Sequence, residues 1–382
     1  MISPEILFDL IKLNGVTYFA GVPDSLLKDF CAYVTDHAEK ENHIITANEG
    51  NAIALATGWY LGSGKTTLVY MQNSGIGNAI NPLLSLADPE VYSIPMLVMI
   101  GWRGEPGVKD EPQHIKQGRI MSKLLESLEF PYFILDDKSD PKFMINKACN
   151  IMYEKKTPVI LLVKNGTFSQ YKLQKDIKTS YSLTREEAIK CVIDQLQPSD
   201  IIISTTGKTS REIYEYREIR GEGHDNDFLT VGSMGHTLSI ASGIALANPE
   251  KSIFCLDGDG SVLMHMGSLA ITGQAGIKNL IHVVFNNGAH DSVGGQPTVG
   301  LNIDLPSIAK SCGYCESDSA TNKSEIIHAL KKYKKIEGIK LLEIKINKGA
   351  RSDLGRPNIS PIKNRDIFME KLRRNDAKIS SE

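Results

Sequence analysis

The feature that most limits how this chain can fold is an alternation of short apolar, β-branched runs with longer segments of helical periodicity. Residues 16–163 contain the runs VTYFA, HIIT, TTLVYM, PMLVMIG, PYFIL and PVILLV. Strands that alternate with helices in this way pair in parallel, because each helix returns the chain to the same edge of the sheet. The pattern predicts an α/β domain with a mostly parallel sheet flanked by helices.

The same alternation returns after a polar stretch, with the runs DIIIST, DFLTV, SIFCLDG, LIHVVFNN and KLLEIKI. We therefore expect two similar α/β domains, over residues 1–165 and 183–360. A linker at 166–182 joins them, and a charged tail at 361–382 follows as a surface helix. The length of 382 residues suits two domains better than one.

Charge and hydropathy argue against two classes of partner. The formal net charge is −2, and Lys and Arg are spread along the chain without a basic stripe, so we expect no nucleic-acid partner. No apolar run is long enough to cross a membrane. The N-terminus has the pattern of a helix capped by Ser3 and not that of a signal peptide, so we expect a cytoplasmic protein.

Two local motifs invite functional readings that we do not adopt. Cys312 and Cys315 have the spacing of a redox pair, but they follow an apolar helical stretch and lead into a strand. We interpret them as a helix end followed by packing residues. Residues 62–67 resemble a phosphate-binding loop but precede a strand instead of following one, so we predict a helix-ending turn.

Oxygen-bearing side chains follow two predicted strands in the second half. The sequence DGDGS follows SIFCL at 257–261, and Asn286 and Asn287 end LIHVVFNN. Ligands of open parallel sheets lie outside the carboxyl ends of the strands. Mg²⁺ prefers oxygen ligands, and its coordination shell commonly combines protein oxygens with phosphate oxygens. A helix that starts after Gly260 would offer N–H groups to phosphate. Together the motifs predict a diphosphate bound through Mg²⁺, although each alone is also typical of a turn.

With these motifs the chain resembles the thiamine-diphosphate-dependent decarboxylases, whose metal motif pairs GDG with a later NN. The resemblance implies thiamine diphosphate and Mg²⁺ as cofactors. It implies three metal ligands, namely the side chains of Asp259 and Asn287 and the carbonyl of Ala289. It also implies diphosphate contacts at Gly258, Gly260 and Ser261.

Further cofactor contacts follow from the same resemblance. In the segment VGSMG at 231–235, Met234 would support the cofactor in its bent shape and the Gly232 carbonyl would accept from its 4'-amino group. A lone Met on a loop is otherwise a core residue. Contacts are also expected at the ends of two strands, at Gln72, Asn73, Thr206 and Gly207, where amide side chains commonly cap helices.

Glu49 follows the strand HIIT and opens the helix that contains NAIALATG. The resemblance implies that its carboxylate hydrogen-bonds N1' of the aminopyrimidine and so favours the imino tautomer, whose nitrogen removes the thiazolium C2 proton. The alternative is an ordinary first-turn carboxylate that interacts with the helix dipole. Because one chain carries both this segment and the metal motif, a complete enzyme is favoured over a non-catalytic cofactor-binding subunit.

Larger members of the family carry a middle domain, which this chain lacks. Its compactness, with the segments GVPD, YMQNSG, GWRGEPG and DEPQH, resembles the branch that decarboxylates 3-phosphonopyruvate to phosphonoacetaldehyde and CO₂ in phosphonate biosynthesis. Sulfopyruvate is the alternative substrate. Each site in this family is completed across a subunit interface, which implies a homodimer or homotetramer.

A substrate with a second anionic group calls for charge-assisted donors. Residues 102–116 form a Gly- and Pro-rich stretch that we expect to act as a lid over the site, and a solvated loop is the alternative. The candidate donors there are Arg103, Lys109, His114 and Lys116, with Lys208 and Arg211 as rivals in the second half.

Proton transfer needs groups that titrate near neutrality. Asp24 and His114 are the candidate catalytic residues, and His290 is a third group expected beside the substrate.

Overall fold

The structure is a computed structural model that describes residues 1–175 and 178–379. The chain divides into two compact units. The first comprises Met1–Asp176 with His290–Pro297, and the second comprises Ile177–Ala289 with Thr298–Glu382. The short segment 290–297, which lies inside the range predicted for the second domain, is thus grouped with the first unit.

The first unit contains every strand that the apolar runs of the first half predict. The strands pair in parallel in the order β2-β1-β3-β4-β6-β5. Their bounds are β1 (Val16–Gly21), β2 (His43–Ile45), β3 (Thr66–Gln72), β4 (Met96–Gly101), β5 (Tyr132–Leu135) and β6 (Pro158–Val163). The helices are α1 (Pro4–Leu13), α2 (Lys28–His37), α3 (Glu49–Ser63), α4 (Ile76–Pro82), α5 (Pro112–Ser127) and α6 (Pro141–Lys155).

The ends of two of these helices test the sequence predictions. Ser3 occupies the N-cap position of α1, but its side chain makes no cap hydrogen bond, so the predicted Ser3 cap was wrong. Pro4 at the first helical position has a φ fixed near the helical value and no N–H, so it leaves one fewer donor without a partner at the helix start. Helix α3 ends at Ser63 with Gly64 in the left-handed conformation (φ 70°), which confirms the turn predicted there.

The second unit repeats the strand order of the first. Its strands are β7 (Ile201–Ser204), β8 (Asp227–Leu229), β9 (Ile253–Gly258), β10 (Leu280–Asn286), β11 (Glu316–Ala320) and β12 (Lys340–Lys345). They pair in parallel in the order β8-β7-β9-β10-β12-β11, which matches β2-β1-β3-β4-β6-β5 position by position. The expectation of two similar α/β domains with parallel sheets is therefore confirmed.

Helices cover the second sheet as they cover the first. They are α7 (Arg185–Ile193), α8 (Lys208–Ile219), α9 (Thr237–Ala247), α10 (Asp259–Met264), α11 (Gly267–Gln274), α12 (Leu305–Ser311), α13 (Lys323–Tyr333) and α14 (Pro361–Ile379). Each sheet separates two apolar cores, because alternate residues of a strand point to opposite faces. In the second unit Phe254 and Val283 belong to one core, and Cys255 and Val284 belong to the other.

The C-terminal helix α14 is present as predicted, but it is more than a surface element. Phe368 is buried in the core of the second unit, and Asn364 is 3% exposed. The Asn364 side chain donates to the Asp227 carbonyl at 2.9 Å and accepts from the Leu229 N–H at 3.2 Å. Because β8 is an edge strand, this amide satisfies main-chain groups that would otherwise lack a neighbour.

Cys312 and Cys315 lie at a helix end and before a strand, as we predict from the sequence. Cys312 lies at the C-terminal end of α12, and strand β11 begins directly after Cys315, as predicted. All six thiols are free. Among the described residues, no helix combines the length and the apolar character that a membrane crossing requires.

Candidate functional site

Most of the predicted site residues lie at or shortly after the carboxyl ends of strands in the two sheets. In the first sheet the chain passes from β1 to its neighbour β2 on one side, and from β3 to its neighbour β4 on the other side. In the second sheet it passes in the same way from β7 to β8 and from β9 to β10. Loops diverge at such a point and leave a crevice in which ligands of α/β sheets bind. Asp24 and Asn73 follow the first pair of strands, and Thr206 and Asp259 follow the second.

Glu49 is the first residue of α3 and is held from two sides within the first unit. It is 5% exposed, and its Oε2 accepts a hydrogen bond of 2.8 Å from Nδ2 of Asn78. A Cβ at Gly75 would lie 2.1 Å from Oε1 of Glu49, so only glycine fits beside the carboxylate. A buried acid with one amide partner is an unusual first-turn residue, because helix-dipole stabilisation alone requires no burial.

Asp24 and Arg103 belong to a buried polar cluster after β1 and β4. Asp24 is 1% exposed and accepts from the backbone N–H groups of Leu26 at 3.0 Å and Leu27 at 3.3 Å. Burial raises the pKa of Asp24 to about 6, although these bonds and the charge of Arg103 oppose the rise. A Cβ at Gly101 would lie 2.0 Å from Oδ1 of Asp24, so β4 must end in glycine.

The Arg103 guanidinium is fixed by Asp110 and Ser25. Its Nε donates to Oδ2 of Asp110 at 2.8 Å, its Nη2 donates to Oδ1 of the same carboxylate, and its Nη1 donates to Ser25 Oγ at 2.7 Å. Asp110 also accepts from the Gly104 N–H at 2.7 Å. A bidentate pair of this kind sets the plane of the guanidinium as well as its position.

His114 is buried beside this cluster on α5. Its Nδ1 has no hydrogen-bond partner among the described residues. Burial, and then the positive charge of Arg103, lowers the pKa of His114 to about 4. The imidazole is therefore neutral at pH 7. In that form it can accept a proton, but it cannot act as an imidazolium acid.

The loop between β4 and α5 is anchored along its length. Trp102 donates from Nε1 to the Gly118 carbonyl at 2.8 Å, and Lys164 pairs with Glu105 at 2.6 Å. Gly104 has a φ of 69° and lies against α5. The two lysines predicted as donors, Lys109 and Lys116, are exposed, so the structure brings only Arg103 and His114 of that set together.

The two amides after β3 have protein partners. Asn73 is 1% exposed, donates to the Arg103 carbonyl at 2.8 Å and accepts from the Arg103 N–H at 3.2 Å. Gln72 donates to Ser74 Oγ at 2.6 Å. Asn73 thus connects the end of β3 to the loop that carries Arg103.

His290 opens the segment that is grouped with the first unit. Its N–H donates to the Gln296 carbonyl at 2.8 Å, and the Gln296 side chain donates to the Lys28 carbonyl at 3.4 Å. Burial lowers the pKa of His290 to about 4.

The proposed metal ligands gather at the ends of β9 and β10 in the second unit. Asp259 is 4% exposed and Asn287 is 5% exposed. Burial raises the pKa of Asp259 to about 6, and Thr298 donates from its hydroxyl to Oδ2 of Asp259. The Asn287 side chain accepts from the Ala289 N–H at 3.0 Å.

Asn286 supports this edge without being one of the predicted ligands. Its Nδ2 donates to the Gly300 carbonyl at 2.8 Å and to Oε1 of Glu343 at 2.7 Å. A Cβ at Gly300 would lie 2.7 Å from Oδ2 of Asp259 and 2.8 Å from Oδ1 of Asn286. Glycine at this position therefore leaves room for the two oxygen-bearing side chains.

The cofactor contacts predicted in the second unit lie at the end of β9, at the start of α10 and on the loops after β7 and β8. Ser261 Oγ accepts from the Gly235 N–H at 3.0 Å and from Thr205 Oγ1 at 3.2 Å. Thr206 Oγ1 accepts from the Gly232 N–H at 2.8 Å. These bonds hold the 231–235 segment beside the start of α10, and Met234 there is half-buried.

Two glycines near these contacts, Gly207 and Gly232, have positive φ angles. Gly207 precedes α8 with φ 93° and ψ −137°, and Gly232 has φ 72°. Such angles are open to glycine and strained for other residues. Gly258 and Gly260 flank Asp259 at the start of α10.

The donor set at Asp259 fits a magnesium-bound diphosphate. A carboxylate, an amide oxygen and a backbone carbonyl are the hard oxygen ligands that Mg²⁺ takes, and phosphate oxygens complete such a shell. Gly207, with its φ of 93° and ψ of −137°, lets the backbone at the start of α8 come close to a large anion. In the first unit, Gly75 leaves the Glu49 carboxylate the space that a Cβ at that position would take.

Several residues of these networks were not anticipated from the sequence. Asn78, Ser25 and Thr298 contact predicted site residues, yet no local motif marks them. Gly75 lay within the YMQNSG segment, but its contact with Glu49 depends on the fold. Asp110 lay within the DEPQH segment, so a signal was present, but its bond to Arg103 depends on the fold of the loop.

Comparisons with known proteins agree with this geometry. The family model for the N-terminal TPP binding domain of thiamine pyrophosphate enzymes matches residues 3–124. The model for the C-terminal TPP binding domain of the same enzymes matches residues 205–344.

Three decarboxylases align with this chain along almost its whole length. A phosphonopyruvate decarboxylase of Streptomyces viridochromogenes is 35% identical over 364 residues, which cover 91% of this chain and 89% of the relative. A second, of Streptomyces hygroscopicus, is 34% identical and covers 94% and 92% of the two chains. A sulfopyruvate decarboxylase of Methanosarcina acetivorans is 27% identical, with coverage of 97% and 98%. The chain belongs to the thiamine pyrophosphate enzymes, in the family of the phosphonopyruvate decarboxylases.

Proposed function

We propose that this protein is a carbon–carbon lyase that decarboxylates 3-phosphonopyruvate to phosphonoacetaldehyde and CO₂. The observation that carries the proposal is the similarity to two phosphonopyruvate decarboxylases at 35% and 34% identity, which extends over about nine-tenths of every chain compared. Similarity of that extent includes both units and both sets of candidate site residues.

Thiamine diphosphate with Mg²⁺, when bound, supplies the electron sink that loss of CO₂ from a 2-oxo acid requires. Asp259, Asn287 and the Ala289 carbonyl would hold the metal. Glycines 258 and 260, with Ser261, Thr206 and Gly207, would hold the diphosphate. Glu49, Gln72, Asn73, Gly232 and Met234 would hold and orient the aminopyrimidine.

Asp24 and His114 of the first unit differ in the pH range in which they exchange protons, and Asp24 is the one whose pKa lies near neutrality. Asp24, whose burial raises its pKa to about 6, can exchange a proton at pH 7 at small cost. His114 is neutral in that range and can accept a proton at Nδ1, which lacks a protein partner among the described residues. We assign proton transfer to substrate and product to these two residues, with Glu49 serving the cofactor.

The phosphonate requires a cationic partner, and Arg103 is the best placed of the predicted donors. It lies next to Asp24 and Ser25, and the Asp110 carboxylate fixes its orientation. Lys109 and His290 remain secondary candidates for the same head group. A guanidinium can meet two phosphonate oxygens at once, whereas an ammonium acts as a point charge.

Sulfopyruvate is the second candidate substrate, because a sulfopyruvate decarboxylase aligns over 97% of this chain. Its identity of 27% is lower than the 35% and 34% of the phosphonopyruvate enzymes, which favours the phosphonate. The two substrates share an oxo acid and a second anion and differ in the charge that the second anion carries.

A substrate panel tests the proposal directly. Purified protein is assayed for CO₂ release from phosphonopyruvate, sulfopyruvate and pyruvate, with and without thiamine diphosphate and Mg²⁺. We expect the highest kcat/KM with phosphonopyruvate and no turnover without both cofactors. A higher kcat/KM with sulfopyruvate would transfer the assignment to the second candidate.

We further propose that the working form is a cytoplasmic homodimer or homotetramer in which each site is completed by a second subunit. The family resemblance supports this. The test co-expresses Glu49→Gln and Asp259→Ala chains carrying different tags and isolates the mixed oligomer. If each site takes Glu49 from one subunit and Asp259 from another, the mixed oligomer regains activity that neither variant has alone. Sites built within single chains would stay inactive in every mixture.

A further inference from the structure

A buried cluster of three potential metal ligands lies inside the second sheet. Cys255 and Asp257 are two residues apart on β9, and His282 is paired with Cys255 on the neighbouring strand β10. Alternation along the strands directs all three to the same face of the sheet. They are 0%, 2% and 0% exposed, respectively.

The ligand atoms of this cluster are close together but are not hydrogen-bonded to one another. The thiol sulfur, one carboxylate oxygen and one imidazole nitrogen lie within 4.8 Å of each other. Nε2 of His282 is 3.7 Å from Oδ2 of Asp257, beyond the usual length of a hydrogen bond. A tetrahedral zinc shell places neighbouring ligand atoms roughly 3.3 to 3.8 Å apart, given the usual Zn–S, Zn–N and Zn–O bond lengths.

Two side chains in this region lack partners although they are buried. Neither ring nitrogen of His282 has a hydrogen-bond partner among the described residues, and the hydroxyl of Tyr314 has none either. Tyr314 is 3% exposed. Burial, and then the proximity of Cys255, raises its pKa above the ordinary range. Buried polar groups almost always have partners, so the unpaired imidazole of His282 beside Cys255 and Asp257 points to a ligand.

Charge also favours a divalent ion here. A thiolate and a carboxylate around one M²⁺ ion, together with a neutral imidazole, give a net charge of zero, and a neutral assembly is easier to bury than its parts. Without an ion, burial raises the pKa of Cys255 well above its usual range, and the thiol keeps its proton. On metal binding that proton is released to solvent as the Cys255 sulfur–metal bond forms.

Asp257 is already oriented for such a role. Its Oδ1 accepts a 2.9 Å hydrogen bond from the Gly258 N–H, while its Oδ2 is the oxygen nearest to His282. Bonds to the second oxygen of a carboxylate commonly fix the direction of the oxygen that faces a metal.

We propose that Cys255, Asp257 and His282 bind one transition-metal ion of the zinc class, with Tyr314 beside the fourth position. Sulfur and nitrogen ligands select zinc-class ions over magnesium, so this donor set differs in kind from the all-oxygen set at Asp259. The ion would link β9 to β10 just before the strand ends that carry Asp259 and Asn287. Its role would be structural.

Cobalt is the probe that separates the two metal sites. The protein is produced in cobalt-supplemented medium, because a fully buried site takes up its ion during folding, and is then dialysed against EDTA to remove ions from the accessible oxygen site. We expect about one cobalt per chain to remain, with a thiolate-to-cobalt charge-transfer band in the near ultraviolet. Cobalt held by oxygen ligands alone gives no such band.

Matched variants assign the band. Cys255→Ala and His282→Gln should lose the chelator-resistant cobalt, whereas Cys149→Ala, which removes an equally buried thiol from the first unit, should keep it. A wild-type protein with no chelator-resistant metal and no thiolate band overturns the proposal, even if the variants fail to fold. Retention of the band in soluble Cys255→Ala also overturns it. None of these readouts depends on decarboxylase activity.

Discussion

Asn78 on α4 donates a hydrogen bond of 2.8 Å from Nδ2 to Oε2 of Glu49 at the start of α3. The two residues are far apart in sequence, and the bond fixes one oxygen of a buried carboxylate while Gly75 leaves room beside the other. The arrangement holds the carboxylate in one direction before any ligand binds. A carboxylate that is already positioned loses less conformational entropy when it reacts than one that must first be ordered.

We expect Glu49→Gln to retain cofactor binding and to lose most turnover, because an amide cannot transfer the proton that a carboxylic acid can. Calorimetry reports binding of thiamine diphosphate, and hydrogen exchange at the thiazolium C2, followed by NMR, reports the proton transfer itself. The control is Asn78→Ala, which keeps the carboxylate and should reduce exchange less. Exchange in Glu49→Gln as fast as in the wild type would exclude Glu49 from this role.

We expect Asp259→Ala and Asn287→Ala each to weaken binding of Mg²⁺ and thiamine diphosphate, because each removes an oxygen from an octahedral shell that the diphosphate cannot complete alone. Activity should fall with affinity and recover in part at high cofactor and metal concentrations. Asp353→Ala removes an exposed carboxylate of the same unit and should change neither. Wild-type cofactor affinity in either site variant, measured by calorimetry, would show that the metal ligands are misassigned.

We expect Arg103→Ala to lower kcat/KM for phosphonopyruvate by an amount equivalent to about 1.5–3 kcal/mol, the range for hydrogen bonds to charged groups. The loss with pyruvate, which has no second anion, should be much smaller. Arg119→Ala provides the control, since Arg119 carries the same guanidinium group and is exposed on α5. An equal loss on both substrates would mean that Arg103 acts through its bonds to Asp110 and Ser25 and supports the loop.

We expect Asp24→Asn to make the protein more stable at pH 7.5. Burial raises the pKa of Asp24 from 3.8 to about 6, so between these values the folded state binds more protons than the unfolded state. The free energy of unfolding therefore falls as pH rises through that window, by up to roughly 3 kcal/mol. Asparagine removes this penalty and keeps an oxygen for the Leu26 and Leu27 N–H groups.

Urea denaturation at pH 4 and pH 7.5 measures the Asp24 effect. The variant should gain about 1–3 kcal/mol over the wild type at pH 7.5, and the gain should shrink toward pH 4, where Asp24 is protonated in the folded state. Asp137→Asn, at an exposed carboxylate of the same unit, should show no comparable dependence. A gain that is the same at both pH values would show that the buried charge is not its source.

Much of the architecture could be read from the sequence, because it rests on local patterns. The runs VTYFA, TTLVYM and SIFCLDG alternate with helical segments, and each became a strand of a parallel sheet. The polar strand β11 (ESDSA) has no such pattern, since an edge strand need not be apolar, and only its position after Cys315 was predictable. Helix α1 begins directly after Ser3, as the sequence indicates, but the Ser3 side chain makes no cap hydrogen bond.

The candidate site also contains residues that the sequence predicts and residues that it does not. Glu49, Asp259 and Asn287 were predictable because each comes at or soon after the end of an apolar run that forms a strand, and ligands of parallel sheets bind beyond the carboxyl ends of the strands. The partners that hold them were not: Asn78 reaches Glu49 from another helix, and Thr298 reaches Asp259 from a loop. The sequence alone therefore determined which strand ends carry the chemistry, since strand period and turn residues are local properties. Only the tertiary structure decided that Arg103 pairs with Asp110 and that Asp24 and His114 are buried, because burial and hydrogen bonding depend on residues distant along the chain.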